Sequence, residues 1–324
     1  MLPLVRTPAG DASVEALIAS LGDADEVLTR AGAVLFRGWD VAAAPAFERV
    51  ARAIAPDLKN DYLGTSPRSG LTPYVFTASE LPPHFPVPMH NEMSFVRSPP
   101  RRLFFTCLVP NRPPGGETPL VDMRAVWRDL DPDVRERFAT RGVTYIRRYG
   151  PPGGGGWDPW KLKRWDEMFG TTDRDVVERR CAEEGFAPAW EPDGTLRLVH
   201  TRPAAKPHPR TGEPTWFNHS QVFHKDAAPA EYDRIASRLG AKWRAWGWLA
   251  RALLATRRRH AMDCTYGDGS PIPAADMDAV RDAIWKNLVA FPWERGDVLA
   301  IDNDAVAHGR MPYRGERLVA VAWA

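Results

Sequence analysis

The placement of short, β-prone apolar runs limits most strongly what this 324-residue chain can fold into. Two of them close the sequence, Asp297-Val298-Leu299-Ala300-Ile301-Asp302 and Arg317-Leu318-Val319-Ala320-Val321-Ala322-Trp323. A third, Ala33-Val34-Leu35-Phe36-Arg37, stands near the start between Gly32 and Gly38, and a fourth is Arg102-Leu103-Phe104-Phe105-Thr106-Cys107-Leu108-Val109. Each is short, rich in branched or aromatic residues and bounded by turn formers, which predicts strands. Helical spacing marks 11–31 (broken at Gly22), 43–55 (stopped by Pro56), 123–129, 132–140, 173–184, 229–260 and 274–287. Further strands are expected at 143–147, 195–201 and 214–223. Strands at both ends with helices between do not alternate as in a dinucleotide-binding fold. They fit an α+β chain with a double-stranded β-helix (jelly-roll) core, an N-terminal helical segment and a mainly helical insertion at about 150–262. No repeat or linker divides the sequence, so residues 1–324 are expected to form a single domain.

Composition excludes several functions. With net charge +2, the chain has no electrostatic footprint for nucleic acid or membrane. Its dense basic run, Arg257-Arg258-Arg259-His260, is expected to be a solvated helix end. Trp243, Trp246 and Trp248 lie among arginines, as in an amphipathic helix that packs its tryptophans. Three widely spaced cysteines, Cys107, Cys181 and Cys264, give no disulfide framework and no Cys-x-x-Cys, which fits a cytoplasmic protein. There is no signal-peptide pattern and no apolar run near ~20 residues. Gly153-Gly154-Gly155-Gly156 lacks the Gly-Lys-Ser/Thr of a phosphate cradle.

The chemistry concentrates in Met89-His90-Asn91-Glu92-Met93-Ser94-Phe95. On a strand, positions i and i+2 share a face, so His90 and Glu92 could grip one ion. Taken alone, His-x-Glu is also consistent with an ordinary histidine beside a solvated glutamate. A third ligand is offered by His308 in Asp302-Asn303-Asp304-Ala305-Val306-Ala307-His308-Gly309-Arg310. Two histidines and one carboxylate form the facial triad of non-haem Fe(II) oxygenases, which leaves open positions on the metal. A long proline- and glycine-rich stretch, 60–86 with Gly64 and Pro67, leads into the motif, where substrate-binding loops tend to lie.

Spacing and order then converge on a resemblance. Thr118, in Gly115-Gly116-Glu117-Thr118, follows the pair, and Arg317 comes nine residues past His308. From about Ala33 onward, through "HNEMSF", "PPGGETPLVDMR", "TGEPTWFNH", "TYGDGSPI" and "GDVLAIDNDAVAHGRMPYRGER", the chain resembles the taurine dioxygenase-like Fe(II)/2-oxoglutarate oxygenases. Within them it resembles the SyrP-like and clavaminate-synthase-like members that hydroxylate amino acids. The resemblance implies that His90, Glu92 and His308 hold Fe(II), with 2-oxoglutarate and O2 as co-substrates. It further implies that Arg317 and Thr118 receive the distal carboxylate of 2-oxoglutarate, and a guanidinium fork suits a carboxylate as a lysine does not. Members that halogenate carry a small residue in place of the carboxylate, so Glu92 favours hydroxylation.

Arg310, two positions past His308, is a further candidate for 2-oxoglutarate. Arg68, Asn91, Asn218 and His219 are candidates for substrate, and Asp302 and Asp304 for orienting His308. The expected substrate is a small amino-acid-like metabolite, free or tethered to a carrier protein, and homo-oligomerisation is left open. Desaturation, epoxidation or ring closure on the same cofactors is the nearest alternative. A non-catalytic binding protein would have no need of all these residues together, and a zinc hydrolase of the His-Glu-x-x-His type lacks its motif.

Overall fold

A computed structural model describes residues 2–62, 68–112, 114–154, 163–256 and 260–324. Gly64, Pro67, Gly155, Gly156, Arg257, Arg258 and Arg259 lie outside the described residues. Two antiparallel-rich sheets carry the double-stranded β-helix core. The six-stranded sheet holds, in spatial order, Leu4–Arg6, Ala33–Phe36, Val298–Asp302, Arg102–Val109, Leu318–Trp323 and Phe76–Thr77. The four-stranded sheet holds Leu288–Val289, Leu120–Asp122, Val306–Arg310 and Val87–His90.

The near-continuous apolar runs have a direct cause: the larger sheet is buried on both faces. With a period of two, Leu35, Leu103, Phe105, Leu299, Ile301, Val319 and Val321 point into the main core, shared with Met89, Leu120, Val121, Val306 and Ala307 of the smaller sheet. The alternate residues Val34, Phe36, Phe104, Val298, Ala300, Ala320 and Ala322 face the other way. There they pack against Leu17, Leu28, Phe47 and Val50 of the helices Val14–Ala19, Ala24–Ala31 and Ala44–Ile54. The N-terminal helical segment therefore covers the back of the larger sheet, and the front is left to form the site.

One expectation gains strands and two need correction. The 150–262 segment carries the helices Trp165–Phe169, Arg174–Glu184, Ser220–Phe223, Ala227–Leu239 and Lys242–Ala255, but also the unexpected strands Ala187–Trp190 and Ala205–Pro207 beside Leu196–Arg202 and Pro214–Trp216. Leu196–Arg202 pairs along the whole of Val143–Tyr149 and builds a third sheet with Ala187–Trp190 and Met262–Tyr266. The strand expected over 214–223 stops at Trp216, and Ser220–Phe223 is a short helix. The long helix divides at Gly240 (φ +100°) into Ala227–Leu239 and Lys242–Ala255. Of its tryptophans only Trp243 is buried; Trp248 is 73% exposed. No described helix is long and apolar enough to cross a membrane.

Candidate metal centre and co-substrate cavity

His308 and His90 are register partners on neighbouring antiparallel strands, with ring centroids 4.5 Å apart. The approach depends on Gly309, because a side chain there would meet the Val87 carbonyl at 2.6 Å. The ladder shifts register between His308 and Arg310 at this close contact. Glu92 is reached differently from the i, i+2 geometry expected of one strand: the strand ends at His90, and Glu92 lies in the following turn. Buried Met93 takes a left-handed backbone (φ 51°), uncommon for a side chain of its size. The turn is fixed from across the barrel. Asn303 Oδ1 accepts from the Glu92 N–H at 2.7 Å, and Asn303 Nδ2 donates to the carbonyls of Glu92 (3.0 Å) and Pro100 (2.7 Å).

The donor set suits a divalent transition metal. His90, Glu92 and His308 each offer an atom within 4.8 Å of the others. Burial pushes the His90 pKa below the usual histidine range and that of His308 well below it, which favours neutral imidazoles with a lone pair to give. The His90 Nδ1 lies 2.8 Å from the Pro88 carbonyl, so Nδ1 carries the proton and Nε2 stays free for a metal. Glu92 Oε2 sits 3.7 Å from His308 Nε2 and accepts from Arg68 Nη2 at 2.9 Å, with both partners of that ion pair buried.

A second group, His208, Asp302 and Asp304, is equally compact but closed. Asp302 is paired with Arg102 (2.9 Å) and His208 (3.1 Å), and Asp304 with Lys206 (2.5 Å). These aspartates form an ion network at the turn between the two sheets and do not orient His308 as expected, since its buried Nδ1 has no hydrogen-bond partner among the described residues.

Two cavities meet at His90, Tyr62 and Val87. The smaller, of about 50 Å³, is lined by His308, Arg68, Thr118, Arg310 and Arg317. Arg317 donates from Nε to the Gly116 carbonyl (2.7 Å) and from Nη2 to Thr118 Oγ1 (3.2 Å), and Trp293 donates to the same hydroxyl at 3.0 Å. Burial lowers the Arg317 pKa to about 10, so it remains a cation at neutral pH. Arg317 stands just before the terminal strand of the six-stranded sheet, so it faces His308 from the other sheet rather than from a neighbouring strand.

Arg310 also borders this cavity, but its Nη atoms donate to the carbonyls of Leu81 (2.9 Å), Pro82 (2.8 Å) and Phe85 (2.7 Å). It anchors the loop ahead of the metal motif, which leaves only its Nε, buried and without a partner among the described residues, for the co-substrate role expected of it.

The larger cavity, of about 210 Å³, is walled mainly by apolar residues such as Leu81, Phe85, Phe95, Phe223 and Tyr232. His90, Glu92 and His219 also line it, along with Lys225 and His260. His219 is buried with its ring 5.2 Å from His90, and its Nδ1 meets Ser94 Oγ at 2.6 Å. Asn91 and Asn218 are not in either lining. Asn91 Nδ2 donates to the Asn303 carbonyl while its buried Oδ1 has no partner among the described residues, and Asn218 bridges the Ala204 carbonyl and the Ser220 N–H. Arg68, expected at the substrate, borders the smaller cavity instead. Asn303, Tyr62 and Trp293 complete the site and carry no sequence signal of their own.

The family described as taurine catabolism dioxygenase TauD, TfdA family has a sequence model that matches residues 9–323. The dapdiamide synthesis protein DdaC of Enterobacter agglomerans is 31% identical over 321 residues, 98% of this chain and 89% of that protein. A clavaminate synthase-like protein of Arabidopsis thaliana is 34% identical over 301 residues, 91% of this chain and 82% of that protein. Among solved structures, a taurine dioxygenase from Burkholderia xenovorans matches with TM-score 0.52 at 15% identity, covering 99% of this chain and 85% of that one. PvcB from Pseudomonas aeruginosa matches with TM-score 0.52 at 12% identity over 98% of this chain and 84% of that one. At such identities the two structures establish the fold.

Proposed function

The chain belongs to the TauD/TfdA dioxygenase family, and from that membership we propose that it hydroxylates a small amino-acid-like metabolite, free or carrier-tethered. It is an Fe(II)- and 2-oxoglutarate-dependent oxygenase that acts on a small molecule. In this reading His90, Glu92 and His308 hold the iron, and Arg317 with Thr118 receives the distal carboxylate of 2-oxoglutarate. The single observation that supports it best is the pair of cavities meeting at His90, one bordered by arginines and the other mainly apolar. Bound there, iron with 2-oxoglutarate supplies an oxidant for a C–H bond and releases succinate and CO2.

The chain's own residues do the rest. The buried imidazoles and Glu92 hold the metal, Arg317 and Thr118 orient the co-substrate, and the apolar wall keeps water from the substrate carbon. A substrate carrying an apolar side chain fits that wall, with Lys225 as a cation available to an anionic group and His260 as a further polar partner. The presence of Glu92 favours oxygen transfer over halide transfer. DdaC, whose name places it in dapdiamide synthesis, supports a role in secondary metabolism. Residues 1–324 act as one catalytic domain, with the 150–262 segment contributing Val222, Phe223 and Tyr232 to the substrate wall.

The test is mass spectrometry of products from a panel of amino acids and their carrier-bound forms. Gain of one oxygen supports hydroxylation, and loss of two hydrogens would replace it with desaturation or ring closure. In parallel, the protein should bind about one Fe(II) per chain, with a weak visible band when 2-oxoglutarate is added without oxygen. Unchanged iron binding in His90→Ala would refute the ligand assignment.

A further inference from the structure

Arg68 is buried, yet most of its hydrogen-bonding capacity is unused. Its Nη2 donates to Glu92 Oε2 (2.9 Å) and to Tyr62 Oη (3.1 Å). Its Nε and Nη1 are buried without a hydrogen-bond partner among the described residues. The face of the guanidinium lies over the Tyr62 ring at 4.3 Å, which satisfies its flat side and leaves the in-plane N–H groups unanswered. Buried guanidinium N–H groups without acceptors are costly; Arg147 and Arg281 carry a similar cost at Nε and Nη2, but neither lines the cavity at the metal site, as Arg68 does. Arg102 has Asp25, Asp302 and Thr29, and Arg310, on the same cavity as Arg68, gives both Nη atoms to three carbonyls and leaves only Nε without a partner among the described residues.

Arg68 borders the same small cavity as Thr118, Arg317 and the two metal-facing histidines. That cavity therefore has two arginines suited to the two ends of a dicarboxylate, Arg317 against Thr118 and Arg68 against Glu92. Building on the proposed function, we infer that Arg68 receives the keto-acid end of 2-oxoglutarate while it holds Glu92. A second carboxylate brought beside Glu92 in a buried site is repelled by it, and a guanidinium shared by the two removes that repulsion. Arg68 is thus a co-substrate-binding residue and a positioning residue for Glu92 at once.

The two roles separate in binding measurements without turnover. Mn(II)-loaded protein is titrated, without oxygen, with 2-oxoglutarate and with pyruvate, which keeps the keto-acid end and lacks the distal carboxylate. Mn(II) affinity is measured alongside. Arg68→Gln should weaken both keto acids by roughly 30-fold or more, beyond any loss of metal affinity. Arg68→Lys should recover part of this, because it keeps the charge and loses the fork. Arg317→Leu should weaken 2-oxoglutarate and leave pyruvate unchanged.

Keto-acid affinities in Arg68→Gln that match the parent, or that fall only in step with Mn(II) affinity, would overturn the inference and leave Arg68 as a prop for Glu92. If Arg68→Gln does not fold, the Arg68→Lys titrations decide by the same comparison. A parent protein that binds neither Mn(II) nor 2-oxoglutarate would instead refute the proposed function, a distinguishable result.

Discussion

Asn303 and Glu92, 211 residues apart in the chain, are joined by two reciprocal hydrogen bonds, Glu92 N–H to Asn303 Oδ1 at 2.7 Å and Asn303 Nδ2 to the Glu92 carbonyl at 3.0 Å. The carboxylate of the metal motif is therefore placed by a side chain on the turn between the two sheets. Asn303→Ala would strand a buried N–H and two buried carbonyls, those of Glu92 and Pro100. Each unpaired group costs ~1–3 kcal/mol, with incomplete additivity, so a total of about 2–4 kcal/mol is expected in denaturant unfolding. Iron affinity should fall with it, since Glu92 loses its placement. Parent-like iron affinity in a folded Asn303→Ala protein would show that the Met93 turn holds Glu92 unaided.

Arg310 gives a test of opposite sense. Its three carbonyl partners lie at 81–85, and Leu81 and Phe85 line the larger cavity. Arg310→Lys should raise the KM of the primary substrate, while the Kd of 2-oxoglutarate should stay within about threefold, under 1 kcal/mol. A loss of 2-oxoglutarate affinity as large as in Arg317→Leu would return Arg310 to the co-substrate.

What the sequence reveals about this site follows the range of each interaction. Strands buried on both faces announce themselves as apolar runs, so the larger sheet is legible nearly end to end. His90, His308, Thr118 and Arg317 are legible through order and spacing. The placement of Glu92 is not, because the i, i+2 rule assumes that the strand continues, and nothing local marks Met93 as left-handed. The strands Ala187–Trp190 and Ala205–Pro207 stay hidden because each is short and contains a proline, which argues against strand on local grounds. Asn303 and Arg68 take their roles from partners 211 and 24 residues away, contacts that only the folded chain creates.

Glu231 supplies a pH prediction away from the metal. It is buried on Ala227–Leu239, and burial raises its pKa to about 7 against a hydrogen bond from Trp285. A carboxyl with a folded pKa above its unfolded value binds more protons when folded. Its contribution is therefore most favourable below about pH 4.5 and is lost as pH rises towards 7. A rise from 4.5 to about 7, at about 1.4 kcal/mol per unit, amounts to roughly 3 kcal/mol. Glu231→Gln should accordingly be more stable than the parent at pH 8 and close to it at pH 4.5. Equal stability differences at the two pH values would mean that Glu231 ionises freely in the fold.

Arg317 separates co-substrate binding from folding. Among the described residues it has no carboxylate partner, and burial already disfavours its charge. Arg317→Leu should therefore change the stability of the unliganded protein little, because removing a buried cation without stranding an anion offsets the Gly116 carbonyl left without its donor. In the presence of 2-oxoglutarate the order should reverse. Breaking a desolvated carboxylate–guanidinium pair from one side costs ~2–5 kcal/mol, roughly 30-fold to several-thousandfold in affinity, and the thermal stabilisation given by 2-oxoglutarate should vanish with it. Thr118→Val should act in the same direction with only about 0.5–1.5 kcal/mol, since one neutral hydrogen bond is lost. Iron affinity measured without co-substrate should be unaffected in both variants. An Arg317→Leu protein that unfolds more readily than the parent without ligand, yet is stabilised by 2-oxoglutarate as strongly, would make Arg317 a structural cation and leave the distal carboxylate to another residue.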